Sequence, residues 1–344
     1  MKRLDVIIPG LLGPFSSAAP EYIQQQLQQA EYKQINQWIC RAEINAVAEK
    51  DYFSALINAI APQCNLGACH LSAEHDAIDM SQGCFYRADP VHFRAESDHA
   101  VLLGNDVLKV AFEEAEKLIK AFNQHFAEDK ISLHAVEANR WYLKCEKPLD
   151  LELSGIDYAM GRDIKHFMPK GSDELWWRKI VNEAQMLFFQ HSVNEQREAN
   201  GQLGINGLWL WDQSVEPAEQ VADKSQIKHV YTNDVIASSL ATRSSIEISS
   251  MASFIQQNIE ADSLLIIDEI YKAVCYGDVD AWLESLNSVC AEYIARIASL
   301  LKTRKIDAVF IHSCDGRVFK IDRLKLMKFW KPQKTLDNYF SVLN

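Results

Sequence analysis

Short apolar runs separated by amphipathic stretches constrain this chain more than any other feature. The runs are Leu4–Ile8, Leu208–Trp211, 228–232, 246–248, 263–267 and 307–312. Each has the length of a buried strand, while helical periodicity occupies 20–30, 51–61, 172–190 and 279–301. Trp176, Ile180, Ala184 and Leu187 share one face of the third helical stretch. Such alternation predicts an α/β fold, with a mostly parallel sheet flanked by helices. The first run ends in Pro9-Gly10, a loop start that suits the leading strand of such a sheet. The last is followed by Asp315-Gly316 and Arg317–Ile321, which reads as a hairpin.

Between 84 and 147 the patterning changes. Phe85–Phe93 and His99–Leu103 alternate as paired strands. A helix follows from 106 to 126 with Val110, Leu118 and Phe122 on its apolar face, then strands Ser132–Val136 and Arg140–Lys144. The order β-β-α-β-β predicts a small α+β domain inserted into a larger domain made of 1–83 and 148–344.

The formal net charge of -12 over 344 residues disfavours nucleic acid and anionic lipid as partners. The cluster Arg323, Lys325, Lys328, Lys331 and Lys334 reads as the solvated face of a short terminal helix. No apolar run is long enough for a signal peptide or a membrane span, so the expectation is a cytoplasmic protein. None of the eight cysteines forms a CxxC pair, which predicts reduced thiols. Cys64, Cys69, His70 and His75 crowd one irregular stretch, but their spacing matches no common zinc pattern.

The most specific stretch runs from 164 to 213. It contains Pro169–Gly171, then a helix, then His191-Ser192-Val193-Asn194 with Arg197, then Asn206–Gln213. In order and spacing this resembles the archaeal-type, cofactor-independent phosphoglycerate mutases of the alkaline-phosphatase superfamily. Tyr86-Arg87-Ala88-Asp89 and Ile266-Ile267-Asp268-Glu269 extend the likeness. Arg87–His92, His191–Arg197 and Phe329-Trp330 also resemble a bacterial group labelled RpfE-type regulatory protein.

The resemblance implies an alkaline-phosphatase-like α/β domain carrying an insert. It also implies phosphoryl transfer between the two hydroxyls of glycerate through a phosphoserine, with two metal ions stabilising the charge. Several positions depart from that pattern. Pro9 stands where an Asp ligand is expected after the first strand, and Lys272 stands where the D-E-x-x-H element has its histidine. Ser313-Cys314-Asp315-Gly316 reads as a turn instead of an Asp-His pair, and no histidine follows His312. Ala100–Asn105 lacks the arginines expected there, and Ser16 and Ser17 lie too near the first strand to match the usual nucleophile. The expectation is therefore a catalytically degenerate relative with a regulatory or ligand-binding role and no metal. The alternative is an active metal-dependent mutase or phosphohydrolase with relocated ligands, using Mn, Zn or Co.

Candidate contacts for a small anionic ligand or a protein partner are Arg87, Asp89, His92, His191, Asn194, Arg197, Asp212, Asp268, Glu269 and Lys272. Each has a plainer reading. Arg87 and Asp89 suit a salt-bridged sheet face, and His191, Asn194 and Arg197 suit a helix end. Trp209 and Trp211, two residues apart on a strand, suit a core. Asp212-Gln213-Ser214 reads as a polar turn beyond a strand's carboxyl end, the preferred place for a pocket in α/β folds. Lys272, four residues after Asp268, could fill a vacated cation position by pairing with Asp268 or Glu269.

Overall fold

A computed structural model describes residues 2–14, 19–62, 83–214, 226–327 and 334–340. The chain divides into two units, one of residues 1–64 and 219–344 and the other of residues 65–218.

The first unit is built on β1 (Arg3–Ile7), β2 (Glu43–Ala46), β8 (His229–Tyr231), β9 (Glu247–Ser249), β10 (Ser263–Ile266), β11 (Ala308–His312) and β12 (Arg317–Asp322), the last numbers following chain order. These strands lie in the order β2-β12-β11-β1-β10-β8-β9. The five from β11 to β9 run parallel. β12 and β2 are antiparallel additions at one edge. The sheet is thus mixed, and the expected parallel arrangement holds for its five neighbouring strands only.

One face of β1 buries Leu4, Val6 and Ile8, which join Leu265, Val309, Ile311 and Phe319 in a single core. Helix Lys33–Arg41 covers it with Ile35, Trp38 and Ile39, residues spaced to share a stripe. The helical stretch read as continuous from 279 to 301 contains a π turn at Cys290–Ile294, between Val279–Val289 and Ala295–Lys302. The hairpin β11–β12 forms, and its connection is pinned by Asp315, which accepts from Ser313 Oγ (2.5 Å) and Arg317 Nε (2.7 Å).

The second unit contains β3 (Cys84–Ala95), β4 (Ala100–Leu103), β5 (Ile131–Glu137), β6 (Arg140–Cys145) and β7 (Gly207–Ser214). They form a five-stranded sheet in which β3 pairs antiparallel with β6, β4 and β7. Pro90, which has no N–H to give, falls in the part of β3 that pairs with β7 alone. Helices Phe112–His125 and Glu174–Phe189 pack Leu118, Phe122, Trp177, Ile180, Ala184 and Phe188 into the same core as Tyr86, Trp141 and Leu210.

The expected insert of 84–147 is therefore too short. β7 runs beside β3 from Phe85↔Ser214 to Val91↔Gly207, and helix Glu174–Phe189 buries its face in that core. Residues 148–214, read from sequence as part of the larger domain, belong to the second unit. Among the described residues no helix is long and apolar enough to cross a membrane.

Candidate functional site

The motif of 164–213 turns out to be architectural. His191 precedes helix Ser192–Ala199 and its Nδ1 accepts from the Val193 N–H at 3.2 Å. Burial, reinforced by the charge of Lys117, holds this imidazole below its ordinary range, which keeps the lone pair available. Asn194 donates to the carbonyls of Phe188 and Ile205 (2.8 Å each) and accepts from the Ile205 N–H (2.7 Å).

Arg197 exposes 1% of its side chain; Nε donates to Leu203 O (2.7 Å), Nη1 to Glu114 (2.6 Å) and Nη2 to Leu108 O. Glu114 also accepts from the Ala111 N–H, so one carboxylate joins two helices. Asn206 exchanges two bonds with the backbone of Phe93. A Cβ at Gly207 would meet the Phe93 ring at 2.2 Å, and one at Gly171 would meet Asp150 O at 2.1 Å. These residues are committed to holding helix ends, loop and strand together.

Arg87 and Asp89 form a buried ion pair (2.8 Å). Asp89 also accepts from Trp211 Nε1 (2.8 Å), while the guanidinium lies over the Tyr142 and Trp211 rings. His92 donates through Nδ1 to Gly204 O at 2.7 Å. Trp209 and Trp211 are buried on one face as expected from their spacing. Asp212 does not open a turn. β7 continues to Ser214, and Asp212 is the extra residue of a bulge between Tyr86↔Gln213 and Arg87↔Trp211, with φ of 54°.

The carboxyl edge of the parallel strands is where an α/β sheet presents ligand-binding loops. Here β1 leads to Ile8-Pro9-Gly10. Trp282 Nε1 donates to Gly10 O (3.0 Å), and a Cβ at Gly10 would meet Val274 Cγ2 at 2.6 Å. The turn is packed against apolar side chains and offers no ligand atom at Pro9. After β8, Asp234 caps helix Val235–Arg243 by accepting from the Ala237 N–H (2.7 Å). After β10, burial raises the Asp268 carboxyl above its ordinary range. Glu269 accepts the Tyr293 hydroxyl at 3.0 Å.

Tyr52, at the start of helix Tyr52–Ile60, is buried and stands 5.3 Å from the Tyr271 ring. Burial raises its phenol well above the ordinary range, and the charges of Asp234, Asp268 and Cys314 add in the same direction. The edge thus brings Asp234, Asp268 and Glu269 near the buried phenols of Tyr52 and Tyr293.

Sequence reading found Asp268 and Glu269 but missed the tyrosines and Asp234. The cue for Asp234 was a helix-capping Asp shortly after a strand; a phenol at a helix start (Tyr52) or inside a helix (Tyr293) gives none. Lys272 is exposed on helix Tyr271–Cys275. Burial raises Asp268, which disfavours it as the carboxylate paired with this lysine, because a paired ammonium would lower it; the other expected partner, Glu269, accepts from the Tyr293 hydroxyl.

The positions expected to hold two metals are otherwise engaged. Pro9 has no donor, Asp315 is tied to Ser313 and Arg317, and Asp234 serves a helix. Among the described residues no group of three His, Cys, Asp or Glu side chains could hold a metal. Ser16, Ser17, Cys64, Cys69, His70 and His75 lie outside the described residues.

On the other face of β1, Asp5 is 3% exposed and bonded by Arg3 and by His312 Nε2 (2.8 Å). Burial pushes its carboxyl up, but the bonds and charges of His312 and Arg3 outweigh this and leave it below the ordinary range. Arg3, Asp5 and His312 line a cavity of 270 Å³ together with Asn58, Gln226 and Ile227. An aspartate inside an apolar strand was the available sequence signal.

No protein-family model matches the chain. Over 142 residues it is 22% identical to the 2,3-bisphosphoglycerate-independent phosphoglycerate mutases of Methanosarcina mazei and Methanosarcina barkeri, covering 40% of this chain and 36% of each relative. The match thus spans about a third of the length of those curated relatives. Among solved structures, PH0037 protein from Pyrococcus horikoshii aligns over 93% of this chain and 87% of its own, with a TM-score of 0.49 and 11% identity. The cofactor-independent phosphoglycerate mutase of Thermoplasma acidophilum aligns over 94% of both, with a TM-score of 0.40 and 15% identity. The chain is a distant sequence relative of the cofactor-independent phosphoglycerate mutases.

Proposed function

We propose that this protein is a phosphoglycerate mutase-like protein that has lost two-metal phosphoryl transfer and acts by binding, in a regulatory role. The observation that carries this reading is the carboxyl edge of the first unit's sheet. Its leading turn, Ile8-Pro9-Gly10, is sealed by Trp282 and Val274, so the strand end that should open a metal cage is filled by packing. The motif residues that resemble the mutases are spent on internal bonds, which explains how the likeness persists without the chemistry. A phosphoryl transfer through a serine would need a charge-neutralising site close to that strand end.

The test is an assay of 3-phosphoglycerate conversion to 2-phosphoglycerate with Mn²⁺, Co²⁺ or Zn²⁺ added in turn. The expected result is no turnover above the protein-free rate. Metal-dependent turnover that disappears in Asp268→Asn would sink the reading and restore an active mutase with relocated ligands. In parallel, ligand binding should appear as a rise in Tm with phosphoglycerate or a related small metabolite, since any ligand specific for the folded state stabilises it.

A further inference from the structure

Cys84 is the first residue of β3 and Cys145 is the last residue of β6. The strands are antiparallel, and their register places these two residues directly opposite each other. Directly opposed residues have Cα atoms about 4.5–5.5 Å apart and side chains on the same face. That spacing falls inside the window of roughly 4.4–6.8 Å that a disulfide spans. Both side chains enter the same core cluster, and both thiols are free. The backbones also approach closely at this end, since a Cβ on Gly83 would lie 2.9 Å from Cys145 O. The other described cysteines, Cys40, Cys275, Cys290 and Cys314, lie on helices or in a turn, so no strand register sets any of them opposite another.

We propose that Cys84 and Cys145 are a redox-modifiable pair that closes a reversible cross-strand disulfide, with a small disulfide such as oxidised glutathione as the oxidant. The Cys84 thiolate attacks one sulfur of glutathione disulfide, forming a mixed disulfide and expelling one glutathione thiolate. The Cys145 thiolate then attacks Cys84 Sγ, forming the protein disulfide and expelling the second glutathione. The two electrons and the two thiol protons pass to the two glutathiones.

Cys84 is the better first nucleophile because burial pushes Cys145 further, up to about 12, with the charge of Cys84 adding to it. Burial of both thiols makes the exchange slow in the native state without changing its endpoint. The bond would tie the start of β3 to the end of β6 and close the loop from 84 to 145.

The full-length protein should be equilibrated with glutathione buffers from fully reduced to fully oxidised, both in the native state and by refolding from urea in the same buffers. Free thiols are then alkylated, and the digest is mapped by mass spectrometry. The expected product is a peptide pair joining Cys84 to Cys145, lighter by two hydrogens than the reduced pair and missing in Cys84→Ser. Refolding removes the accessibility barrier, so full alkylation of both residues at every buffer ratio in the refolded sample overturns the proposal. So does a disulfide joining either residue to another cysteine. Mapping in the wild-type chain decides the matter even where the serine variant folds poorly.

Discussion

Arg197 is buried with 1% of its side chain exposed, and Glu114 and two carbonyls replace the water it has lost. Its removal would strand a carboxylate and leave the Leu203 and Leu108 carbonyls without this donor. Arg197→Met should therefore cost about 3 kcal/mol in urea denaturation, the low end for a broken buried pair because Glu114 keeps some contact with water. A loss under about 0.5 kcal/mol, the range of ordinary surface changes, would return the residue to the list of ligand contacts. Asp268 shows the opposite economy. Its folded carboxyl is raised by burial, so the folded state binds that proton more tightly than the unfolded chain does. Stability must then fall as pH rises from the ordinary aspartate value through the folded one. Asp268→Asn removes the titration. Its Tm should match wild type near pH 4 and exceed it by an increasing margin toward pH 7. An equal or lower Tm at pH 7 would show that the ionised carboxylate is well satisfied.

The strands and hairpin were legible because period-two burial and strand-length apolar runs leave a direct trace in sequence. β1, β10 and β11 fall within a residue or two of the runs at 4–8, 263–267 and 307–312. What each strand pairs with leaves no such trace. Leu208–Trp211 reads equally well as a parallel strand in a large sheet and as β7 beside β3, since both bury two faces. Asp212 was misleading for a related reason: a short polar residue in the left-handed region suits both a turn and a bulge, and only the partner strand decides between them. The same ambiguity hid the role of the 191–197 stretch. His, Asn and Arg are as apt for helix-end carbonyls and N–H groups as for a phosphate, and the bonds to Phe188, Ile205, Leu203 and Leu108 become visible only once the loop is folded back. Tyr52 and Tyr293 carried no pattern at all, because their approach to Asp268 and Glu269 is set by helix placement over a long sequence separation.

At the scale of the whole chain, the second unit has the connectivity of an insertion whose two ends are fastened to each other. Its described residues run from just before β3 to the end of β7, and the pairing Phe85↔Ser214 sets those two ends side by side. Its core draws on its own elements, from Tyr86 and Trp141 on the sheet to Phe122, Trp177 and Phe188 on the helices. Contacts that are internal to a segment, with termini held together by a strand pair, are what independent folding requires. A fragment of residues 83–214 should therefore fold alone. Urea unfolding followed by tryptophan fluorescence, which reports on the buried Trp141, Trp177, Trp209 and Trp211, should show one cooperative transition that coincides with loss of far-ultraviolet circular dichroism. The shorter fragment 84–147 should fail the same test, because it lacks both β7 and helix Glu174–Phe189 and so exposes the face of β3 and the inner side of Trp141. Cooperative unfolding of the short fragment, or a broad non-coincident transition in the long one, would move the boundary back toward 147 and make the first unit the keeper of residues 148–214.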